Sequence, residues 1–81
     1  MESRVAVIGI IVEDPDSVEQ VNSFLHRYAA YILGRMGIPH RERGVSIISI
    51  AIDAPSDVIN TLSGQIGKLS GVSAKTAYSK I

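Results

Sequence analysis

The side chains able to do chemistry fall in three groups, two beside a predicted helix start or turn and one dispersed. Glu13, Asp14 and Asp16 crowd carboxylates around Pro15. Such a cluster can offer oxygen ligands to a hard cation. Placed just before an apolar run of helical spacing, these acids serve first as helix caps and as complements to the helix dipole. Arg35, Arg41 and Arg43 lie within the segment Gly34 to Gly44 and can pair an anionic ligand. Their other role is to guard an edge strand against aggregation. His26 and His40 are far apart, with no His-x-His spacing. His26 reads as a surface or boundary residue of a helix, whereas His40 ends an edge strand, a place where oligomers can build metal sites. The chain has no cysteine, which removes thiolate ligands and disulfides alike. No Ser-His-Asp or Cys-His arrangement is evident, since the serines fall on strands and helix starts. The expectation is therefore no catalytic residue and no metal site. The candidate ligand-binding set is Glu13, Asp14, Arg35, His40, Arg41 and Arg43, and no cofactor is specified.

The elements that must position these residues follow from periodicity. Val5 to Val12 is an unbroken, largely β-branched run that reads as a buried strand. Asp14-Pro15-Asp16-Ser17 then supplies a helix start, with either Asp14 capping and Pro15 at the first helical position, or Asp16 capping with Glu19 three residues on. Val18, Val21, Leu25, Tyr28 and Ile32 recur at threes and fours, which predicts a helix ended by Gly34. Gly34 to His40, with two glycines and Pro39, reads as a short edge strand. Arg41 to Gly44 makes a turn, and Val45 to Ile52 a second strong strand. Asp53-Ala54-Pro55-Ser56-Asp57 repeats the helix start, and Val58, Leu62, Ile66 and Leu69 form the stripe of a second helix. Gly71 stops it, and Val72 to Tyr78 alternates as a last strand. The order β-α-β-β-α-β predicts one α+β, ferredoxin-like sandwich over residues 1–81, with an antiparallel sheet in the order 4-1-3-2 and both helices on one face.

Composition narrows the function. With 81 residues and no cysteine, the chain forms one small core and gains stability from self-association. Eight basic and eight acidic residues cancel, so no net field draws nucleic acid, and Glu42 interrupts the one basic stretch. No helix-turn-helix or basic ribbon is evident. The apolar run after Met1-Glu2-Ser3-Arg4 is too short for a secretory signal or a membrane span, which makes a cytoplasmic protein the expectation, without nucleic-acid or membrane partners.

Two helices cover one face of a four-stranded sheet, and the other face reads polar in a monomer. Here it does not. With Ala6, Ile8, Ile10, Val12, Ile48, Ile50 and Ile52 assigned to the core, Val5, Val7, Ile11, Val45 and Ile47 remain on the open face. Such a patch predicts that a second subunit or a partner covers this face, or that edge strands extend the sheet across subunits. The usual tenants of this plan fail on residues: the central strands carry no aromatic for RNA stacking, no Cys-x-x-Cys carries a metal, and acids stand where a phosphate-cradling arginine would be.

The segment Gly34-Arg35-Met36-Gly37-Ile38-Pro39-His40-Arg41-Glu42-Arg43-Gly44, the opening Arg4 to Val12 and the Asp53-Ala54-Pro55 helix start together resemble the iron-only ([FeFe]) hydrogenase system regulators. The likeness covers nearly the whole chain. It implies a stand-alone, non-catalytic regulatory domain, similar to ACT domains and to the C-terminal domain of nickel-responsive repressors, assembled as dimers or tetramers through its sheets. It also implies a link to hydrogenase maturation or expression, and a small-molecule effector at a subunit boundary. Without cysteine or paired histidines the repressors' nickel site does not carry over, and the loop from Glu13 to Ser17 lacks the glycine of the ACT amino-acid site. A pure protein-interaction module, docking on a larger regulator or maturation protein, is the alternative.

Overall fold

The structure is a computed structural model that describes residues 2–80. Its elements are β1 (Arg4–Val12), α1 (Val18–Arg27), β2 (Ile32–His40), β3 (Val45–Ala54), α2 (Ser56–Gly67) and β4 (Val72–Tyr78), with single 3-10 turns at Pro15–Ser17, Ala29–Tyr31 and Arg41–Arg43. The strands form one antiparallel sheet in the order β2-β3-β1-β4. This is the expected 4-1-3-2 order of a ferredoxin-like α+β fold. The β-branched runs β1 and β3 take the centre, where both ladders need every N–H, and proline-bearing β2 takes an edge.

Alternation decides the faces. Ala6, Ile8, Ile10 and Val12 of β1 and Ile48, Ile50, Ile52 and Ala54 of β3 are buried against Val21 and Leu25 of α1 and Ile59, Leu62 and Ile66 of α2. The isoleucine-rich set therefore faces the helices, as its bulk and branching favour.

The first helix differs from the expectation. It ends at Arg27, with Tyr28 leaving helical geometry (φ −103°, ψ 18°), and Ile32 opens β2 instead of closing the helix. Ile32 packs against the same core as α1 and pairs with Ile52. The apolar period thus runs on through a change of element, and Gly34, displaced by a bulge between Ile32 and Gly34, lies inside the strand. That makes β2 nine residues long rather than a short strand beginning at Gly34.

Two loops are tied together at one end of the sheet. The Asp14 carboxylate accepts the N–H of Asp16, capping the turn that Pro15 begins. Glu13 N–H donates to the Gly71 carbonyl at 2.7 Å, and the buried Ser17 hydroxyl donates to the Ser70 carbonyl at 2.6 Å. Gly71, at φ +65°, has a further reason to lack a side chain: a Cβ there would lie 2.7 Å from the Cβ of Asp14. The β1–α1 loop is thereby fixed against the α2–β4 turn.

Candidate functional site

Two surfaces collect most of the candidate residues. The first is the uncovered face of the sheet. Val5 and Val7 are each 46% exposed, and Ile11 and Ile47 are exposed as well, while Val45 is half-buried. Register brings Ile11 beside Ile47, and Ile47 in turn beside Ile38 of β2. Ile38 (48% exposed) and Met36 (52%) therefore extend the patch onto the edge strand. As sequence, β2 reads as a guarded edge; its alternation, once in register with β3, carries the signal. Between the bulky rows lie small residues: Ser49 beside Gly9, and Ala51 beside Val7. Lys75 and Asp53 pair with Gly9 and Val5 and place charge at the rim.

The second surface is a cleft of about 280 Å³ between the β1–α1 loop and the β2–β3 hairpin. Val12, Pro15 and Val18 wall one side, and Pro39 and Val45 the other. His40, Arg41 and Ser46 contribute its polar groups, and Gly44 closes the hairpin in a left-handed conformation (φ 63°, ψ 32°). A smaller groove of about 140 Å³ continues from it along Val18, Pro39 and Ser46 towards Asn22 and Arg35.

The candidate residues divide accordingly. His40 and Arg41 line the cleft. Arg35 lies in the adjoining groove on the helix side of β2 and donates to Asn22 Oδ1 of α1 at 2.8 Å. Arg43 sits in the same short turn as Arg41 but does not line the cleft. Glu13 and Asp14 stand at the loop tied to Gly71, engaged through the Glu13 N–H and the Asp14 carboxylate, and neither lines the cleft. Pro15, Val18, Pro39 and Ser46 belong to the site without having signalled it in the sequence, because apolar walls carry no chemistry of their own. Among the described residues no three of His, Asp and Glu gather as a metal site would need, and no helix is long and apolar enough to cross a membrane.

Residues 4–76 match the family model TM1266-like, described as "Iron-only hydrogenase system regulator, putative". Among solved structures, the uncharacterised protein TM1266 of Thermotoga maritima superposes with a TM-score of 0.93 at 38% identity, covering 98% of this chain and 100% of that one. A formyltetrahydrofolate deformylase from Pseudomonas putida KT2440 superposes with a TM-score of 0.66 at 11% identity, covering 90% of this chain but 28% of its own length. That second likeness concerns the fold alone. No curated protein sequence matches.

Proposed function

This chain belongs to the iron-only hydrogenase system regulator family, and from that premise we propose that it is an oligomeric, ligand-responsive regulatory domain that acts without catalysing a reaction. The single observation that carries the assembly is the apolar sheet face left without cover. A compact monomer of 8.7 kDa exposes about 4,700 Å², yet this chain exposes 5363 Å², roughly 600 Å² more. A stable interface takes about 800 Å² from each partner. The excess is thus of the size that one face-to-face contact removes. Bulky rows beside small ones on the same face allow two copies to interdigitate, and Lys75 and Asp53 supply a polar rim of both signs.

The regulatory half of the reading is supported by the family description and by the cleft, whose rim at His40 and Val45 borders the apolar face. A ligand bound there touches the edge of the assembly surface and can bias it. Native mass spectrometry of the protein purified from its own host tests both halves together. The expected result is a dimer or tetramer that retains a small molecule. A monomer, or a one-to-one complex with a different and larger protein, sinks the homo-oligomer and favours an interaction module docked through the same face.

A further inference from the structure

We propose that the cleft between the β1–α1 loop and the β2–β3 hairpin binds a small organic carboxylate with a compact apolar body. The inference deepens the ligand-responsive reading above by naming the ligand's chemistry, and its binding step does not depend on assembly. Charge comes first. Arg41 lines the cleft, and no Asp or Glu does. Of the nearby acids, Asp14 caps the turn at Asp16 and packs against Gly71, Asp16 and Glu19 lie together on a separate outer surface of the loop and helix, and Glu42, next to Arg41 in the same turn, is exposed and outside the cleft lining. A guanidinium with no carboxylate in the same cleft favours an anion, and its planar fork fits a carboxylate in two parallel hydrogen bonds. His40 and Ser46 add polar atoms on the same hairpin.

The rest of the lining excludes a bare inorganic ion. Val12, Pro15, Val18, Pro39 and Val45 offer nothing to a hydrated anion, and they favour a ligand that buries hydrocarbon. Size sets the scale. About 280 Å³ corresponds to roughly nine water volumes at about 30 Å³ each, so the fit is a molecule of about that many non-hydrogen atoms. Benzoate and 4-methylpentanoate have this size and character. The walls are also held in place before any ligand arrives. Pro15 stands on the loop that Glu13 and Ser17 tie to the α2–β4 turn, Val18 opens α1 beside it, and the Gly44 N–H donates to the Arg41 carbonyl at 3.1 Å in the hairpin opposite. Preformed walls leave little ordering entropy for binding to oppose.

The test is an amide-resolved NMR titration with benzoate, benzamide and inorganic phosphate. Benzoate is expected to saturate with a Kd on the order of 0.1–1 mM for a ligand of this size, shifting amides in 12–18 and 38–46. Benzamide, which keeps the ring and loses the charge, binds about tenfold more weakly, as does benzoate to Arg41→Gln. Lys68→Gln, which removes a charge at the end of α2, leaves benzoate binding unchanged. Shifts that do not saturate, that spread away from the hairpin, or that persist equally in Arg41→Gln overturn the site, as does phosphate binding as tightly as benzoate. Light scattering on the same samples separates the two readings: binding to a wild-type monomer supports the site and removes the oligomer, whereas an oligomer that binds no benzoate overturns the site alone.

Discussion

Gly71 and Gly44 are both left-handed, at φ 65° and 63°, yet they answer to different constraints. Nothing lies within 4 Å of a Cβ built on Gly44, whereas one on Gly71 meets the Asp14 Cβ at 2.7 Å and the Asp14 N at 2.9 Å. Gly44→Ala should therefore cost only the conformational penalty, about 1–2 kcal/mol. Gly71→Ala adds a backbone clash and should cost at least about 3 kcal/mol. Urea denaturation of the two variants at one protein concentration checks this, and equal losses would show that the Asp14 contact yields freely. Ser17 makes a companion case. Its buried hydroxyl satisfies the Ser70 carbonyl at 2.6 Å, so Ser17→Ala strands an acceptor and should destabilise by about 1–3 kcal/mol. A stability within experimental error of wild type would mean that water replaces the hydroxyl. These residues also explain why the acids beside Pro15 read ambiguously in the sequence. Glu13 and Asp14 have the types of a cation site, but the Asp14 carboxylate is taken up by the Asp16 N–H and Glu13 is tied through its backbone N–H to Gly71, near the other end of the chain, and no local spacing reveals that second tie.

Among the elements, β3 shows how much of the fold was legible and where legibility stopped. Its alternation divides Ile48, Ile50 and Ile52, all buried, from Ile47 and Val45 on the other side, and this could be read directly because a strand's period of two is insensitive to context. The end of α1 could not. Tyr28 and Ile32 keep the helical spacing although one leaves the helix and the other begins a strand, since both face the same core. The cleft was half visible: Arg41 and His40 stood out by type, while Pro15, Val18 and Pro39 meet only through the sheet order. The two faces of β3 should respond differently to the same truncation. Ile50→Ala empties space in a fully buried position and should cost about 2–5 kcal/mol at every protein concentration. Ile47→Ala removes side chain from the uncovered face, so its cost should grow with protein concentration as the wild type gains from association. Thermal unfolding of both variants over a range of concentrations distinguishes them, and an Ile47→Ala penalty independent of concentration would place Ile47 outside any interface.

At the scale of the whole molecule, shape and surface argue in the same direction. The radius of gyration is 12.3 Å and the extents are 41 × 18 × 17 Å, an elongated rod rather than a ball. Beyond Ile32 every residue of β2 is exposed on both faces, so the sheet extends past its helices. The helix-covered core is the only buried cluster of apolar residues described, and a chain of 81 residues gains little margin from one such core. The proposed association at the bare face would add apolar burial there without any new element, and would make stability a function of concentration. Wild-type protein should show a melting temperature that climbs as the concentration rises, because only the folded chain presents the face in register. Ile47→Asp places a carboxylate between Ile11 and Ile38, where burial against a second copy would leave it unpaired. The variant should sediment as a monomer and melt at a temperature indifferent to concentration, at or below the most dilute wild-type value. Its fold should survive, since Ile47 is an exposed residue of the isolated chain, and the circular dichroism spectrum should match wild type. An Ile47→Asp protein that keeps the wild-type mass in solution would move the interface off this face and leave the extra 600 Å² or so of surface, relative to a compact monomer, without the role assigned to it.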